Sequence, residues 1–247
     1  IMGELMYFIG AWTAKDQSIE LHSAEYTGMN YGGIVYMKTA IVFDYLQAYL
    51  GEELFDNCMK TYFERWKFKH PEPKDLQNIF EEITSKDLSW FFENMIPTTN
   101  QLDYSITKIK KEVKDLHITL ENKGKIAGPV VICGVKNGEI NTPLWVEGFE
   151  GIKTVAYING DYDHIRIDPY GVMPETNRNN NIYKTKGLFK QCEPIRLQLI
   201  GSLYHPEKTQ IFFLPTLNWN KYNTTSVGMS FYNRFIPKGG LSYKLSP

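Results

Sequence analysis

The spacing of the apolar residues changes once along this chain, and that change constrains the fold more than any other feature. From Gly33 to Leu50 and from Glu52 to Trp66, apolar side chains recur every three or four residues, which predicts amphipathic helices. After Pro97 apolar and polar residues alternate, as they do in half-buried strands. The chain is therefore predicted to be α+β, with a helical bundle subdomain followed by a small β-sandwich and a β-rich tail.

Further local signals refine both parts. Three more helices are predicted, over Glu4–Ala14, Lys74–Thr84 and Asp87–Met95, the last of them capped near Ser85. Short strands are predicted between residues 116 and 167, with a hairpin at Asn137-Gly138. Residues 175–181 are polar and are predicted to form a linker.

Charge is distributed unevenly, although the net charge of the 247 residues is only −1. Residues 1–100 carry 8 Lys and Arg against 15 Asp and Glu, whereas residues 182–247 carry 9 against 2. Together with the change of period, this predicts three parts: a helical part at 1–97, a β-sandwich at 98–175 and a basic β-rich tail at 182–247.

The three cysteines are far apart in the sequence. Cys58 falls in a helical pattern and Cys133 in an apolar strand, so both are predicted to be buried thiols. Together with Cys192 they form neither a disulfide framework nor a metal-binding pattern.

Three short motifs occur in the helical part. Tyr36-Met37-Lys38-Thr39 opens a long apolar helix that ends at Leu50-Gly51, and it is followed by Asp75-Leu76 and by Lys86-Asp87-Leu88-Ser89-Trp90-Phe91-Phe92. Over residues 25–97 this series resembles the helical part of the gluzincin zinc aminopeptidases, downstream of their metal site. Departures from the family pattern are Thr39 and Ser85, which stand in place of glycines, and Met95, which stands in place of a tryptophan.

The resemblance implies roles for two tyrosines. Tyr36 matches the residue whose phenol donates a hydrogen bond to the oxyanion formed when water attacks a peptide carbonyl. Tyr31, five residues earlier, matches a tyrosine near the substrate. The alternative for either residue is an ordinary packing role in the core or at an interface. Lys38 is predicted to be a charge at the helix terminus rather than a catalytic group.

The metal site of that family is missing from this sequence. The five histidines are His22, His70, His117, His164 and His205, and no His-x-x-x-His pair occurs among them. With the start at Ile1, this predicts a C-terminal fragment whose full-length parent binds zinc through an upstream domain of the same polypeptide and cleaves peptide substrates, while the fragment itself binds no metal. The alternative is a non-catalytic interaction or membrane-anchoring module.

The tail combines basic charge with aromatic residues. No recognised nucleic-acid motif accompanies it, so no nucleic-acid partner is predicted. The stretch from Pro215 to Tyr222 is similar to the opening of outer-membrane β-barrels in surface-anchored bacterial peptidases. This favours outer-membrane association through the tail and a location in the bacterial cell envelope, in the periplasm or outer membrane. The alternative is a β-rich extension of the sandwich.

Overall fold

Helices dominate the first 95 residues of the computed structural model, which describes residues 2–187, 190–191, 195–202, 208–222, 224–233 and 244–245. The longer ones are α1 (Met2–Trp12), α2 (Tyr31–Lys38), α3 (Thr39–Leu50), α4 (Glu52–Trp66), α5 (Pro73–Thr84) and α6 (Trp90–Met95), and a short helical turn, Gly28–Asn30, leads directly into α2. The α+β class is confirmed, and the bounds of α4 are those that the apolar spacing predicts.

Helix α2 winds with wide π-type turns and continues directly into α3. At the junction the Thr39 N–H bonds to the carbonyl of Ile34, five residues back, and the Thr39 hydroxyl donates to the same carbonyl at 3.1 Å. The residue that replaces a family glycine therefore uses its side chain to satisfy a carbonyl of the wide turn. Such turns are rare in proteins and are frequent at functional sites.

The predicted start of the last helix is wrong. Ser85 lies in the left-handed region, with φ 52° and ψ 30°, and terminates α5 instead of capping α6. Asp87 Oδ1 accepts a hydrogen bond from the Ser89 N–H at 2.9 Å, so the chain enters the next helix only after Asp87. A left-handed residue after a helix is usually glycine, which accounts for the glycine of the family pattern at this position.

Two antiparallel sheets follow, as expected of a small sandwich. Strands β1 (Tyr104–Lys111), β2 (Asp115–Asn122) and β5 (Gly151–Ile158) form one sheet in the order β1-β2-β5. Strands β3 (Val130–Lys136), β4 (Glu139–Val146), β6 (His164–Ile167) and β7 (Ile182–Lys184) form the other, in the order β4-β3-β6-β7. The hairpin predicted at Asn137-Gly138 is confirmed, since both residues have positive φ between β3 and β4.

The helices and the sandwich share one hydrophobic core. Its buried members include side chains from the helices (Tyr45, Leu46, Cys58, Phe80 and Phe91) and from the sandwich (Tyr104, Ile118, Val131 and Ile165). The Tyr45 hydroxyl also donates a hydrogen bond to the carbonyl of Pro129, which ties α3 to the start of β3. Cys58 and Cys133 are buried free thiols, as predicted, and Cys192 lies outside the described residues.

The segment between Glu175 and Asn181 packs into the sandwich. The Glu175 carboxylate accepts hydrogen bonds from the Tyr104 N–H and from Asn181 Nδ2, both at 2.5 Å. Burial raises the pKa of Glu175 well above its ordinary value. Strand β7, within the predicted tail, pairs with β6 of the sandwich. The three-part division of the chain stays a prediction.

A third sheet lies in the tail. It contains β8 (Ile195–Leu199), β9 (Thr209–Asn220), β10 (Thr224–Tyr232) and β11 (Lys244–Leu245), in the order β11-β10-β9-β8. Strand β8 runs parallel to β9, whereas the other neighbours are antiparallel. The stretches His205-Pro206-Glu207 and Pro237-Lys238-Gly239-Gly240, whose sequences predict turns, lie outside the described residues. Among the helices of the described part, none has the length and apolar character to cross a bilayer.

Candidate functional site

Tyr31 and Tyr36 project from the same helix, and their rings lie 6.2 Å apart in an edge-to-face arrangement. Tyr26 continues the row, because its ring lies 6.1 Å from that of Tyr31. Tyr36 is 60% exposed and Tyr31 42% exposed, so neither side chain belongs to the core. The structure therefore excludes the core alternative for both residues and brings the two predicted site residues together.

The three phenols of this row differ in their hydrogen bonds. The Tyr26 hydroxyl donates to the carbonyls of Ile19 at 2.6 Å and Ser18 at 3.1 Å, and burial raises its pKa. Within the part of the chain that the structure describes, the hydroxyls of Tyr31 and Tyr36 make no hydrogen bond. Two phenolic donors are thus available to a ligand, next to one that holds the loop in place.

Lys38 fastens the helix from its opposite side. Its Nζ lies 3.5 Å from Asp16 Oδ2 and donates to the carbonyls of Gln17 at 3.1 Å and Thr98 at 3.5 Å. The residue is only 2% exposed, and burial lowers the pKa of its ammonium, an effect that the nearby Asp16 carboxylate opposes. Lys38 is the last residue of α2, in line with the predicted helix-terminal charge, but its side chain is buried and joins α2 to the segments before α2 and after α6.

The loop that precedes α2 is held by side chains. Gln17 Oε1 accepts hydrogen bonds from the Thr27 N–H and from Asn30 Nδ2, both at 3.0 Å, and Gln17 Nε2 donates to the carbonyl of Glu25 at 3.0 Å. Sequence reasoning missed Asp16 and Gln17, because a polar residue in a loop gives no local signal of the distant groups that it will contact. These hydrogen bonds fix the loop from which the three tyrosines, Tyr26, Tyr31 and Tyr36, begin.

Two exposed apolar side chains lie close in sequence to the two available phenols. Met29 is 76% exposed and Met37 40% exposed, and both belong to the same helical stretch as Tyr31 and Tyr36.

The described residues do not fit a zinc site. They contain no group of three or more His, Cys, Asp and Glu side chains close enough to hold a metal ion. His117 faces a single carboxylate, with Nε2 3.2 Å from Glu112 Oε2, and His22 Nδ1 accepts a hydrogen bond from the Ala24 N–H. Burial lowers the pKa of His164, and His205 lies outside the described residues.

Comparison with known proteins finds matches in the helical part. Residues 11–95 match the family described as "Peptidase family M1 domain". Over 100 residues, 40% of the chain, the sequence is 27% identical to "Aminopeptidase M1-C" of Oryza sativa subsp. japonica, of which the match covers 11%. Over 70 residues, 28% of the chain, it is 36% identical to "Aminopeptidase N" of Streptomyces lividans, of which the match covers 8%.

The chain therefore spans about a tenth of the length of these curated relatives. Among solved structures, Legionella pneumophila aminopeptidase A in complex with aspartic acid superposes with a TM-score of 0.48 and 13% identity. That superposition covers 68% of this chain and 19% of the other.

Proposed function

We propose that this chain, whose residues 11–95 match the family described as "Peptidase family M1 domain", is part of a zinc-dependent aminopeptidase that releases N-terminal residues from peptides. Its named relatives are aminopeptidases, and it covers only a small share of their length. The chain contributes the helical segment that carries Tyr36 and Tyr31. The remainder of the active site belongs to an upstream domain of the same polypeptide.

The observation that carries the proposal is the pair of exposed phenols on a helix that a buried lysine holds fixed. When water attacks a peptide carbonyl, the carbonyl oxygen becomes an oxyanion and needs a hydrogen-bond donor. A tyrosine phenol is neutral near pH 7 and donates one such bond. We assign this donor to Tyr36 and a contact with the bound peptide to Tyr31, whose ring lies 6.2 Å from that of Tyr36.

Zinc is assigned to residues outside this chain, because the described residues offer no ligand set. When bound, zinc supplies a water of lowered pKa as the nucleophile. The alternative proposal is a non-catalytic interaction or anchoring module with the same fold. The two proposals differ in whether the full-length protein holds zinc and cleaves peptides.

The test uses the full-length protein, with zinc content measured by elemental analysis and cleavage measured on short unblocked peptides. Tyr36→Phe is expected to lower kcat by about 10²–10³, the usual loss for deletion of one oxyanion donor, with zinc content unchanged. Tyr170→Phe is the matched control, because Tyr170 is also 60% exposed but lies in the turn after β6. Its kcat should equal that of the wild type.

Two results would count against the proposal. A wild-type protein that neither holds zinc nor releases N-terminal residues would establish the non-catalytic alternative. A Tyr36→Phe variant as active as Tyr170→Phe would leave the aminopeptidase assignment standing but would remove Tyr36 from the catalytic residues.

A further inference from the structure

The tail sheet has one apolar face, which its strand pairing defines. Alternate residues of a strand share a face, and the pairs Leu217↔Val227 and Leu199↔Phe213 align these faces across neighbouring strands. The apolar face consists of Ile195, Leu197, Leu199, Ile211, Phe213, Pro215, Leu217, Trp219, Val227, Met229, Phe231 and Leu245. Thr209 and Thr225 complete the same face, so its described positions carry no charged side chain.

The apolar face is exposed over much of its length, which is unusual for a sheet in water. On the apolar face, Leu217 is 74% exposed, Trp219 72% and Val227 77%. On the opposite face, the polar residues Gln210 and Ser230 are only 6% and 2% exposed. An antiparallel sheet beside water normally packs its apolar side inward and solvates its polar side.

The polar face satisfies its own hydrogen bonds. Gln210 Nε2 donates to Ser202 Oγ at 3.0 Å, and the side-chain amides of Gln198 and Gln210 approach to 3.1 Å. On the same face the rings of Phe212 and Tyr232 lie 5.5 Å apart. Buried polar groups that are hydrogen-bonded cost little free energy, so this face can be buried in the folded chain. The apolar face is then the one that is exposed to the surrounding phase.

We propose that the apolar face of the tail sheet contacts the acyl chains of an anionic phospholipid bilayer. Transfer of Leu and Val side chains from water into an apolar phase is favourable, and several such side chains here lie exposed on one face.

Two observations favour lipid over a protein partner. Trp219 and Tyr222 flank Lys221 where β9 ends, and aromatic and basic residues are typical of the headgroup level of a membrane. Residues 182–247 carry 9 Lys and Arg against 2 Asp and Glu, which complements anionic headgroups. A protein interface of this size would also be expected to carry a polar rim and several hydrogen bonds across it.

The test is flotation of the full-length protein with vesicles of phosphatidylethanolamine and phosphatidylglycerol, and separately with vesicles of phosphatidylcholine. The variant Leu217→Asp/Val227→Asp places two carboxylates on the apolar face. The control Asn218→Asp/Ser226→Asp places them on the opposite face at the neighbouring pair, Asn218↔Ser226, which is also exposed. Both double variants change the net charge equally, and circular dichroism verifies that each is folded.

The wild type is expected to float with the phosphatidylglycerol vesicles and more weakly with the phosphatidylcholine vesicles. The apolar-face variant should have a vesicle partition coefficient at least about tenfold lower, equivalent to a loss of about 1.4 kcal/mol or more, while the control variant keeps the wild-type value. Absence of flotation for the wild type would overturn the proposal, as would an equal loss in both variants. Equal binding to the two vesicle types would overturn the anionic preference.

A second copy of the chain is the competing occupant of the apolar face. If the wild type sediments as a dimer without lipid, does not float, and becomes monomeric in the Leu217→Asp/Val227→Asp variant, the face is a contact between copies. The lipid proposal does not depend on peptidase activity, so its outcome is independent of the Tyr36→Phe result.

Discussion

Lys38 Nζ lies 3.5 Å from Asp16 Oδ2, and the two side chains are only 3% and 6% exposed to solvent. Tyr36 lies two residues before Lys38, which in a helix places the two side chains on roughly opposite sides. The buried ion pair therefore fixes the side of α2 that faces the protein, while the exposed phenol of Tyr36 lies on the opposite side of the same helix. The orientation of Tyr36 depends on an ion pair that does not touch it.

Loss of this ion pair should reduce stability strongly. Lys38→Met leaves the Asp16 carboxylate buried without a cation, and we expect a decrease of about 3–5 kcal/mol in the free energy of unfolding in urea. The double variant Lys38→Met/Asp16→Asn should recover part of that loss. Lys110→Met, which removes an exposed pair with Glu112 at 2.9 Å, should change the free energy of unfolding far less, because water screens an exposed ion pair. Equal losses for Lys38→Met and Lys110→Met would contradict the anchoring role.

Tyr31 should affect binding of the peptide more than the chemical step. If Tyr31 contacts the bound peptide equally in the ground and transition states, Tyr31→Ala raises KM and leaves kcat nearly unchanged. Tyr170→Ala is the control, because Tyr170 is also exposed but lies in the turn after β6, and it should leave both kinetic constants unchanged. A fall in kcat comparable to that of Tyr36→Phe would instead assign Tyr31 to the transition state.

The features that the sequence predicted correctly are those with local signals. The bounds of α4 follow from apolar spacing between Gly51 and the end of the helix, and the turn at Asn137-Gly138 follows from two residues that tolerate positive φ. The burial of Lys38 and Glu175 was missed because it depends on partners such as Thr98 and Tyr104, which are distant in the sequence.

The candidate site was predicted only in part for the same reason. Resemblance to a family identified Tyr31 and Tyr36, but their exposure and close approach depend on how α2 packs. The hydrogen bonds that fix the preceding loop join residues up to 15 positions apart, such as Asn30 and Lys15. No periodic pattern in the sequence indicates such contacts.

Ser85 offers a test of the helix ending. Its φ of 52° is unfavourable for a residue with a side chain and nearly neutral for glycine, so Ser85→Gly should raise the free energy of unfolding by about 0.5–1 kcal/mol. Ser89→Gly is the control, because Ser89 has right-handed helical angles, φ −58° and ψ −34°, and glycine there should be destabilising by a similar amount. Thermal unfolding should show that Ser85→Gly is more stable than the wild type and Ser89→Gly less stable. Changes in the same direction for both variants would contradict a left-handed strain at Ser85.

Glu175 should make stability depend on pH. Burial raises its pKa well above the ordinary 4.5, and the charges of Asp103 and Asp168 add to that effect, while the hydrogen bonds from Asn181 and the Tyr104 N–H oppose it. A raised pKa in the folded state means that the folded chain binds the proton more tightly than the unfolded chain. The stabilisation is therefore fully present below pH 4.5 and is lost as pH rises through the raised pKa.

The measurement is the unfolding free energy of wild type and Glu175→Gln between pH 4 and 8. The difference, wild type minus variant, should fall as pH rises above the ordinary carboxyl range, by up to about 1.4 kcal/mol per pH unit. Glu175→Ala separates the proton from the hydrogen bonds, because it orphans the Tyr104 N–H and should be destabilising by about 1–3 kcal/mol even at low pH. Parallel curves for wild type and Glu175→Gln would show that Glu175 binds its proton no more tightly in the folded chain than in the unfolded one.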